Sequence, residues 1–223
     1  MSDGRRWERE SGARLGRPAL LLVLMAFVAY TYWVPRGPLA NADTRVAMTR
    51  AIVDDHTFRI DRYAAGLADR SAFGGHYYTD KAPGVSLLGV PVYATLRATL
   101  PAAYFGPALI FVVRFLLTAS VIGLPAAIFV GLLWWFMLPR LGRRRAALLA
   151  VAYGFGTMAW ALSALLFSHV LAAISLFGAF MLLYPVSVGR RPAALWRWIA
   201  AGALCGTAVC YEYPAALVGV LLA

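Results

Sequence analysis

The sequence predicts an all-α, polytopic membrane protein with about five transmembrane helices. Of its 223 residues, 61% are hydrophobic and only 14% are charged, whereas an ordinary soluble domain has roughly 25% charged residues. Several apolar runs reach the roughly 20 residues that a helix needs to cross a hydrocarbon core. The net charge of +11 comes from arginines clustered between these runs. This pattern indicates membrane topology rather than nucleic-acid binding.

The apolar runs divide the chain into a series of elements. Residues 1–17 form a basic segment, and residues 18–34 form the first span, with no small-residue cleavage site after it. A long outer loop occupies residues 35–101. Four more spans are predicted at residues 102–138, 146–165, 170–188 and 198–223. The last span has no polar flank, so we expect a chain cut from a longer protein.

The distribution of arginine predicts the orientation. The N-terminal segment carries five arginines and the two connections after residues 138 and 188 carry seven, whereas the hairpin at Ser168-His169 has none. Positive residues concentrate on the cytoplasmic side of membrane proteins. We therefore expect a multi-pass protein of the cell inner (plasma) membrane, with a cytoplasmic N-terminus and the long loop outside.

The long loop is expected to contain interfacial helices and turns. Thr44 to Val53 has mixed helical spacing of apolar residues, typical of a short helix at the membrane surface. Val85 to Leu96 is apolar but too short to span, which favours a second interfacial or re-entrant helix. Gly74-Gly75 and Pro83-Gly84 mark turns.

Most of the acidic residues lie in this loop, which makes it the expected working surface. Six of the ten acids fall between Asn41 and Gly84, and only Glu212 follows Lys81. Glu212 is an ionisable residue at membrane depth, and such a residue is energetically costly and indicates function. Arg114 is the expected partner of Glu212. We expect four polar features to lie close together at the outer face of the membrane: Asp43, the Asp80-Lys81 pair, His169 and Glu212. Four other aspartates are expected to be solvated loop charges: Asp54, Asp55, Asp61 and Asp69.

The charged residues expected at the outer face suit a substrate with an anionic head and a lipid tail. Lys81 with Arg45 or Arg114 would hold phosphate oxygens, and an aspartate would accept a proton from an attacking hydroxyl.

Each candidate also has a structural interpretation. Asp43 would cap a helix that starts at Thr44. The Asp80-Lys81 pair would be a solvated surface pair, His169 a hairpin residue in contact with water, and Glu212 a brace for Arg114 or for a neighbouring span.

At these residues the chain resembles the GT-C class of membrane glycosyltransferases, in the branch of the protein O-mannosyltransferases and the lipid A aminoarabinose transferases. The corresponding elements are Asp43-Thr44-Arg45, the string GHYYTDKAPG from Gly75 to Gly84, and Arg114. Thr44 stands where an acidic residue commonly follows the aspartate in that family. The resemblance implies that Asp43 is the catalytic base and that Lys81 contacts the phosphate of a polyprenyl-phosphate sugar. Substrate binding is assigned to Arg45, Tyr78, Asp80, Lys81, Arg114, His169 and Glu212.

The implied reaction transfers a sugar to a hydroxyl acceptor on a protein, lipid or glycan, with inversion. The expected partners are the lipid-linked sugar, the acceptor and the lipid bilayer, but not nucleic acid. No cofactor is assigned, no metal-ligand spacing is recognised, and a divalent metal is left open. Two other functions stay open as well: a transporter or flippase module, and an inactive accessory fragment of a cell-envelope assembly.

Overall fold

The computed structural model describes residues 17–192 and 194–222, and helices dominate this part of the chain, which confirms the all-α class. The predicted N-terminal segment lies outside the described residues except for Arg17. The helices are α1 Arg17–Tyr32, α2 Ala40–Asp54, α3 Gly84–Thr99, α4 Ile110–Thr118, α5 Leu124–Gly156, α6 Met158–Ser163, α7 His169–Ser187, α8 Leu195–Tyr211 and α9 Ala215–Leu222. Short 3₁₀ turns occur at Asp61–Tyr63 and Ala102–Phe105.

Both helices predicted in the long loop are confirmed. The first is α2 and the second is α3, each a few residues longer than the apolar pattern indicated. The loop also contains an antiparallel hairpin that was not predicted, formed by β1 Ser71–Phe73 and β2 His76–Tyr78. Gly74 and Gly75 turn between the strands with φ of 58° and 79°, a conformation that favours glycine.

Within the described residues, two helical stretches are long and apolar enough to cross a membrane. One is Ile110–Gly156, which joins α4 to α5 through a π-helical turn at Ala119–Gly123 and is broken at Gly142, where φ is 74° and ψ is 165°. The other is α7. Helix α1 is apolar but only 16 residues long. The predicted arrangement of five spans therefore stays a prediction.

Helix boundaries differ from the predicted spans at three places. The second span was expected from residue 102, but its helix begins at Ile110. The third span is divided at Thr157, where the backbone is extended and the Thr157 side chain accepts a hydrogen bond from the N–H of Ala159. The fifth is divided after Tyr211, because Pro214 lacks an N–H and disfavours helical backbone in the residue before it.

The helices pack around two main apolar clusters. In one, α1 lies against α5, and Gly131 permits this contact because a Cβ there would lie 2.7 Å from a methyl group of Val23. In the other, α2 and α3 pack against α4, α7 and α8 around Val46, Tyr93 and Leu117. The loop helices are thus part of the folded core, which fixes their polar side chains relative to the long helices.

Candidate functional site

Asp43 lies in the first turn of α2 with both carboxylate oxygens engaged. Its Oδ2 atom accepts a hydrogen bond of 2.8 Å from the backbone N–H of Leu39, the residue before the helix. Its Oδ1 atom lies 2.5 Å from Nη1 of Arg114. The predicted role of Asp43 as the cap of a helix that starts at Thr44 is therefore wrong, since the helix begins at Ala40 with Leu39 at its N-cap and Asp43 lies inside its first turn. A carboxylate has about four acceptor positions, so two stay free for other donors.

Arg114 anchors the connection between α1 and α2. Its Nη2 atom donates to the backbone carbonyl oxygens of Pro35 at 3.3 Å and Arg36 at 2.9 Å, and also to that of Gly37. The side chain is only 8% exposed. A guanidinium is tolerated at such burial because its N–H groups are satisfied and it is paired with a carboxylate. Arg114 therefore holds both Asp43 and the segment beside it.

A cavity of about 400 Å³ opens next to this ion pair. We call it the Asp43 cavity; its charged and polar lining consists of Arg36, Asp43, Arg50, Tyr63 and Arg114, and the rest is mainly apolar. Three arginines and one aspartate give the lining a formal charge of +2. Arginine-rich cavities of this kind favour phosphate groups, which accept paired hydrogen bonds from guanidinium.

Arg50 is a cavity residue that the sequence analysis missed. Its guanidinium carbon lies 4.3 Å from the centroid of the Tyr63 ring, and its Nη2 atom donates to the carbonyl oxygen of Phe105 at 2.9 Å. Its Nε atom is buried and has no hydrogen-bond partner among the described residues. Arg50 follows Asp43 by two helical turns, so its place on the same face of α2 was detectable from spacing.

Tyr63 closes the cavity beside Arg50. Its hydroxyl donates to Oδ2 of Asp54 at 3.2 Å. Burial, with a further contribution from Asp54, raises the pKa of Tyr63 to about 12. Tyr63 is therefore uncharged at physiological pH, and it lines the cavity as a neutral hydrogen-bonding residue.

Arg45 belongs to a second polar cluster, because a residue two positions after Asp43 points to a different side of the helix. Arg45 is 3% exposed, and its Nη2 atom donates to the Ser168 hydroxyl at 2.7 Å. Its other N–H groups donate to the side-chain oxygen of Asn41 at 2.9 Å and to the carbonyl of Ala82 at 3.2 Å. Burial lowers the pKa of Arg45, while the charges of Glu212 and Asp80 oppose that shift.

Glu212 completes this cluster, which we call the Arg45 network (Arg45, Ser168, His169 and Glu212). The Ser168 hydroxyl donates to Oε1 of Glu212, and Nδ1 of His169 lies 2.9 Å from the same oxygen. The predicted pairing of Glu212 with Arg114 is therefore wrong. The break before Pro214 places Glu212 beside the start of α7, whereas Arg114 contacts Asp43. His169 is half-exposed, as its interpretation as a water-contacting hairpin residue predicts.

Lys81 lies outside both groups. Its Nζ atom is 2.9 Å from Oδ2 of Asp80 and 3.0 Å from Oδ2 of Asp69. Burial opposes the shift, but hydrogen bonds from Lys81 to these two carboxylates raise its pKa. The predicted Asp80-Lys81 pair is thus present. Tyr78 lies in β2 opposite Ser71 in the hairpin.

All four aspartates expected to be solvated have a partner. Asp55 lies 3.0 Å from Nη1 of Arg62, and Asp61 lies 2.7 Å from Nδ1 of His76. Asp69 binds Lys81, and Asp54 accepts hydrogen bonds from the Tyr93 hydroxyl at 2.7 Å and from Nε of Arg97 at 3.2 Å. Asp54 therefore ties α2 to α3, because it ends a helix whose last turn packs on α3. Apart from Tyr78 in the hairpin, the predicted site residues fall into three sets of contacts: Asp43 with Arg114, the Arg45 network, and Lys81 with its aspartates.

No described group of three or more His, Cys, Asp or Glu residues could hold a metal ion, so we assign no ligands to the divalent metal left open above. Comparison of the chain with protein-family models, curated proteins and solved structures gives no match. The chemistry of the site itself must therefore indicate the function.

Proposed function

We propose that this chain is a glycosyltransferase of the inner (plasma) membrane that transfers a sugar from a polyprenyl phosphate to a hydroxyl acceptor on the outer face. One observation carries the proposal: the Asp43 carboxylate lines a cavity of about 400 Å³ together with three arginines. A carboxylate suits the role of general base, and the arginines suit a phosphate. The resemblance to the GT-C class points to the same reaction.

The membrane location is part of the proposal, with five spans and a cytoplasmic N-terminus. It is supported by the two helices of spanning length and by the surface of α1. That helix exposes Leu20 at 57%, Leu24 at 50% and Val28 at 63%, with Trp33 just after it at 61%. An exposed apolar face ending in an aromatic residue suits contact with lipid tails and with the interface.

In the proposed reaction, the acceptor oxygen forms a bond to the anomeric carbon of the sugar while its proton moves to Asp43. The bond from that carbon to the donor phosphate oxygen breaks, and its electron pair leaves with the phosphate. Arg36 and Arg50 stabilise the negative charge that develops on the leaving group. Attack from the side opposite the phosphate inverts the anomeric carbon.

Arg114 has two proposed roles, fixing Asp43 and presenting charge to the donor phosphate from the cavity wall. Arg45 is proposed to act by holding its neighbours in position, since its N–H groups already donate to Asn41, Ala82 and Ser168. Substrate binding by Tyr78, Asp80, Lys81, His169 and Glu212 stays a prediction, with Lys81 expected at the donor phosphate.

A second candidate function is transport, and one observation favours it. Helices α8 and α9 are separated at Glu212, so an ionisable residue lies at a helix break. Broken helices of this kind form substrate sites in secondary transporters. A transporter moves its substrate unchanged, so an assay for a glycosylated product separates the two functions.

The test is sugar transfer in membranes that contain the protein, using a panel of polyprenyl-phosphate sugars. Asp43→Asn should lower transfer by roughly 10²–10⁴-fold, the usual contribution of a general base. Asp55→Asn is the matched control because Asp55 pairs with the exposed Arg62. Undiminished transfer by Asp43→Asn would refute the base assignment. Absence of transfer by the wild type with every donor would refute the transferase.

A further inference from the structure

A second cavity, of about 300 Å³, lies between α5, α7 and α8. We call it the Arg140 cavity; the lining residues that matter here are Trp135, Arg140, Met181, Trp196 and Arg197. Arg140 follows Arg114 by 26 positions along a nearly continuous helix, which is about 39 Å at 1.5 Å per residue. The cavity is therefore at the opposite end of the helical bundle from Asp43.

Arg140 is held by aromatic rings. Its guanidinium carbon lies 3.8 Å from the centroid of the Phe136 ring and 4.8 Å from that of Tyr184. One Nη atom donates to the carbonyl oxygen of Phe136. The Nε atom is buried and has no hydrogen-bond partner in the described part of the chain. Stacking fixes the plane of the guanidinium and leaves N–H groups on its edge for a ligand.

Arg197 presents a second positive charge to the same cavity. Its Nη1 atom donates to the carbonyl oxygen of Leu182 at 3.2 Å, and its guanidinium carbon lies 4.9 Å from the Trp196 ring. The sequence has no acidic residue from position 82 to 211, and Glu212 is engaged by Ser168 and His169. Among the described residues, no carboxylate pairs with Arg140 or Arg197. Such a cluster of partly buried positive charge favours an anionic ligand.

We propose that the Arg140 cavity binds the phosphate headgroup of an anionic phospholipid. Basic pockets between helices near a membrane surface bind such headgroups, and tryptophan is enriched at that depth. A volume of about 300 Å³ has room for a phosphate and glycerol but not for acyl chains. The chains have an apolar surface to follow, because Leu195 is 73% exposed and Ile199 63% exposed at the start of α8.

This site is separate from the Asp43 cavity, so the proposal does not depend on the transferase reaction. The test uses purified protein in a neutral detergent, titrated with phosphatidylglycerol, phosphatidylcholine or inorganic phosphate. Bound lipid is counted by native mass spectrometry, and the midpoint of thermal unfolding is followed in parallel. Phosphatidylglycerol should give a bound lipid and a higher midpoint, while the other two additives should give neither.

Two double variants locate the binding. Arg140→Gln with Arg197→Gln should lower phosphatidylglycerol affinity by at least about tenfold, because two charge-assisted contacts are removed. Arg143→Gln with Arg144→Gln removes the same charge from exposed positions nearby and should leave the affinity within about twofold. Equal losses in the two variants would overturn the proposal, because the attraction would then be diffuse. Equal stabilisation by inorganic phosphate would also overturn it.

Met181→Trp provides a test that keeps both arginines, for the case in which the arginine variants fail to fold. A larger side chain at this lining position fills the cavity without changing its charge. Circular dichroism checks that the helix content is retained. The expected result is the loss of bound phosphatidylglycerol, and unchanged binding would overturn the proposal.

Discussion

Arg114 and Asp43 are 71 positions apart in the sequence, and their side chains are joined by a 2.5 Å contact between Nη1 and Oδ1. Asp43 lies at the start of a loop helix, and Arg114 lies in α4, within the helical stretch Ile110–Gly156. Their ion pair therefore ties the loop to the helical bundle at the wall of the Asp43 cavity. Charge-assisted bonds of this kind are about twice as strong as neutral ones.

The first prediction concerns this pair. Arg114→Gln should destabilise the protein by about 3 kcal/mol, because it leaves the partly buried Asp43 carboxylate without its ion partner and three backbone carbonyls without their donor. The double variant, Arg114→Gln with Asp43→Asn, should lose less stability than the sum of the losses in the two single variants. Neither charge of the pair is then left without its partner. The measurement is thermal unfolding of the four variants in detergent. Arg36→Gln, at an exposed position, is the control, and additive effects of Arg114→Gln and Asp43→Asn would contradict the coupling.

The second prediction concerns the donor phosphate. Arg50→Gln should raise the KM for the polyprenyl-phosphate sugar by about tenfold, the effect of one lost charge-assisted contact of about 1.4 kcal/mol. Arg59→Gln is the matched control because Arg59 is exposed and is not among the residues that line the Asp43 cavity. Steady-state transfer rates over a range of donor concentrations give both constants. An unchanged KM for Arg50→Gln would show that the donor binds elsewhere.

The sequence predicted that the two loop segments are helical, the first from the helical spacing of its apolar residues and the second from an apolar run too short to span a membrane. Asp43, Arg45 and Arg114 were each selected as site residues, but Arg114 was assigned to the wrong carboxylate. Spacing shows which residues share a face of one helix, yet it does not show which faces of two distant helices meet. The partner of Glu212 depends on the break at Pro214, which turns the chain toward Ser168.

The β1–β2 hairpin was not predicted from the sequence for a different reason. Gly74-Gly75 was identified as a turn, but each flanking strand is only three residues long, and an alternating pattern is not visible over that length. Ser168 had no detectable signal, because a serine in an apolar hairpin is ordinary. Its place between Arg45 and Glu212 follows only from the packing of α7 against α2 and α8.

The third prediction concerns pH and the hairpin. Asp61 accepts the backbone N–H of Tyr77 at 2.6 Å and lies 2.7 Å from Nδ1 of His76. The Tyr77 hydrogen bond, followed by that from His76, holds the pKa of Asp61 below its usual value. A carboxyl whose pKa is depressed on folding stabilises the hairpin above its unfolded pKa of about 3.9, and this contribution is lost as pH falls through the folded value.

The NMR shift of the Tyr77 amide should therefore show a transition below about pH 4. Asp61→Asn should abolish this transition, and Asp55→Asn, which changes a neighbouring carboxylate paired with Arg62, should leave it in place. A transition that persists in Asp61→Asn would assign it to another group.

The last prediction explains the final residue of the string that resembles the GT-C class. A Cβ added at Gly84 would lie 2.6 Å from the backbone carbonyl oxygen of Cys210 and 2.6 Å from Cδ1 of Tyr211. A backbone carbonyl cannot rotate away as a side chain can, so Gly84→Ala must move α3 away from the end of α8. Overpacking of this kind costs roughly 1–3 kcal/mol.

Gly206→Ala is the matched control, because a Cβ at this position of α8 meets nothing within 4 Å. Alanine there should stabilise the helix by roughly 0.5–1 kcal/mol, so the two variants should shift the unfolding midpoint in opposite directions. Gly84→Ala should also weaken the Arg45 network, since Arg45 donates to the carbonyl of Ala82 two residues earlier. Equal midpoints for the two variants would mean that close packing does not require glycine at position 84.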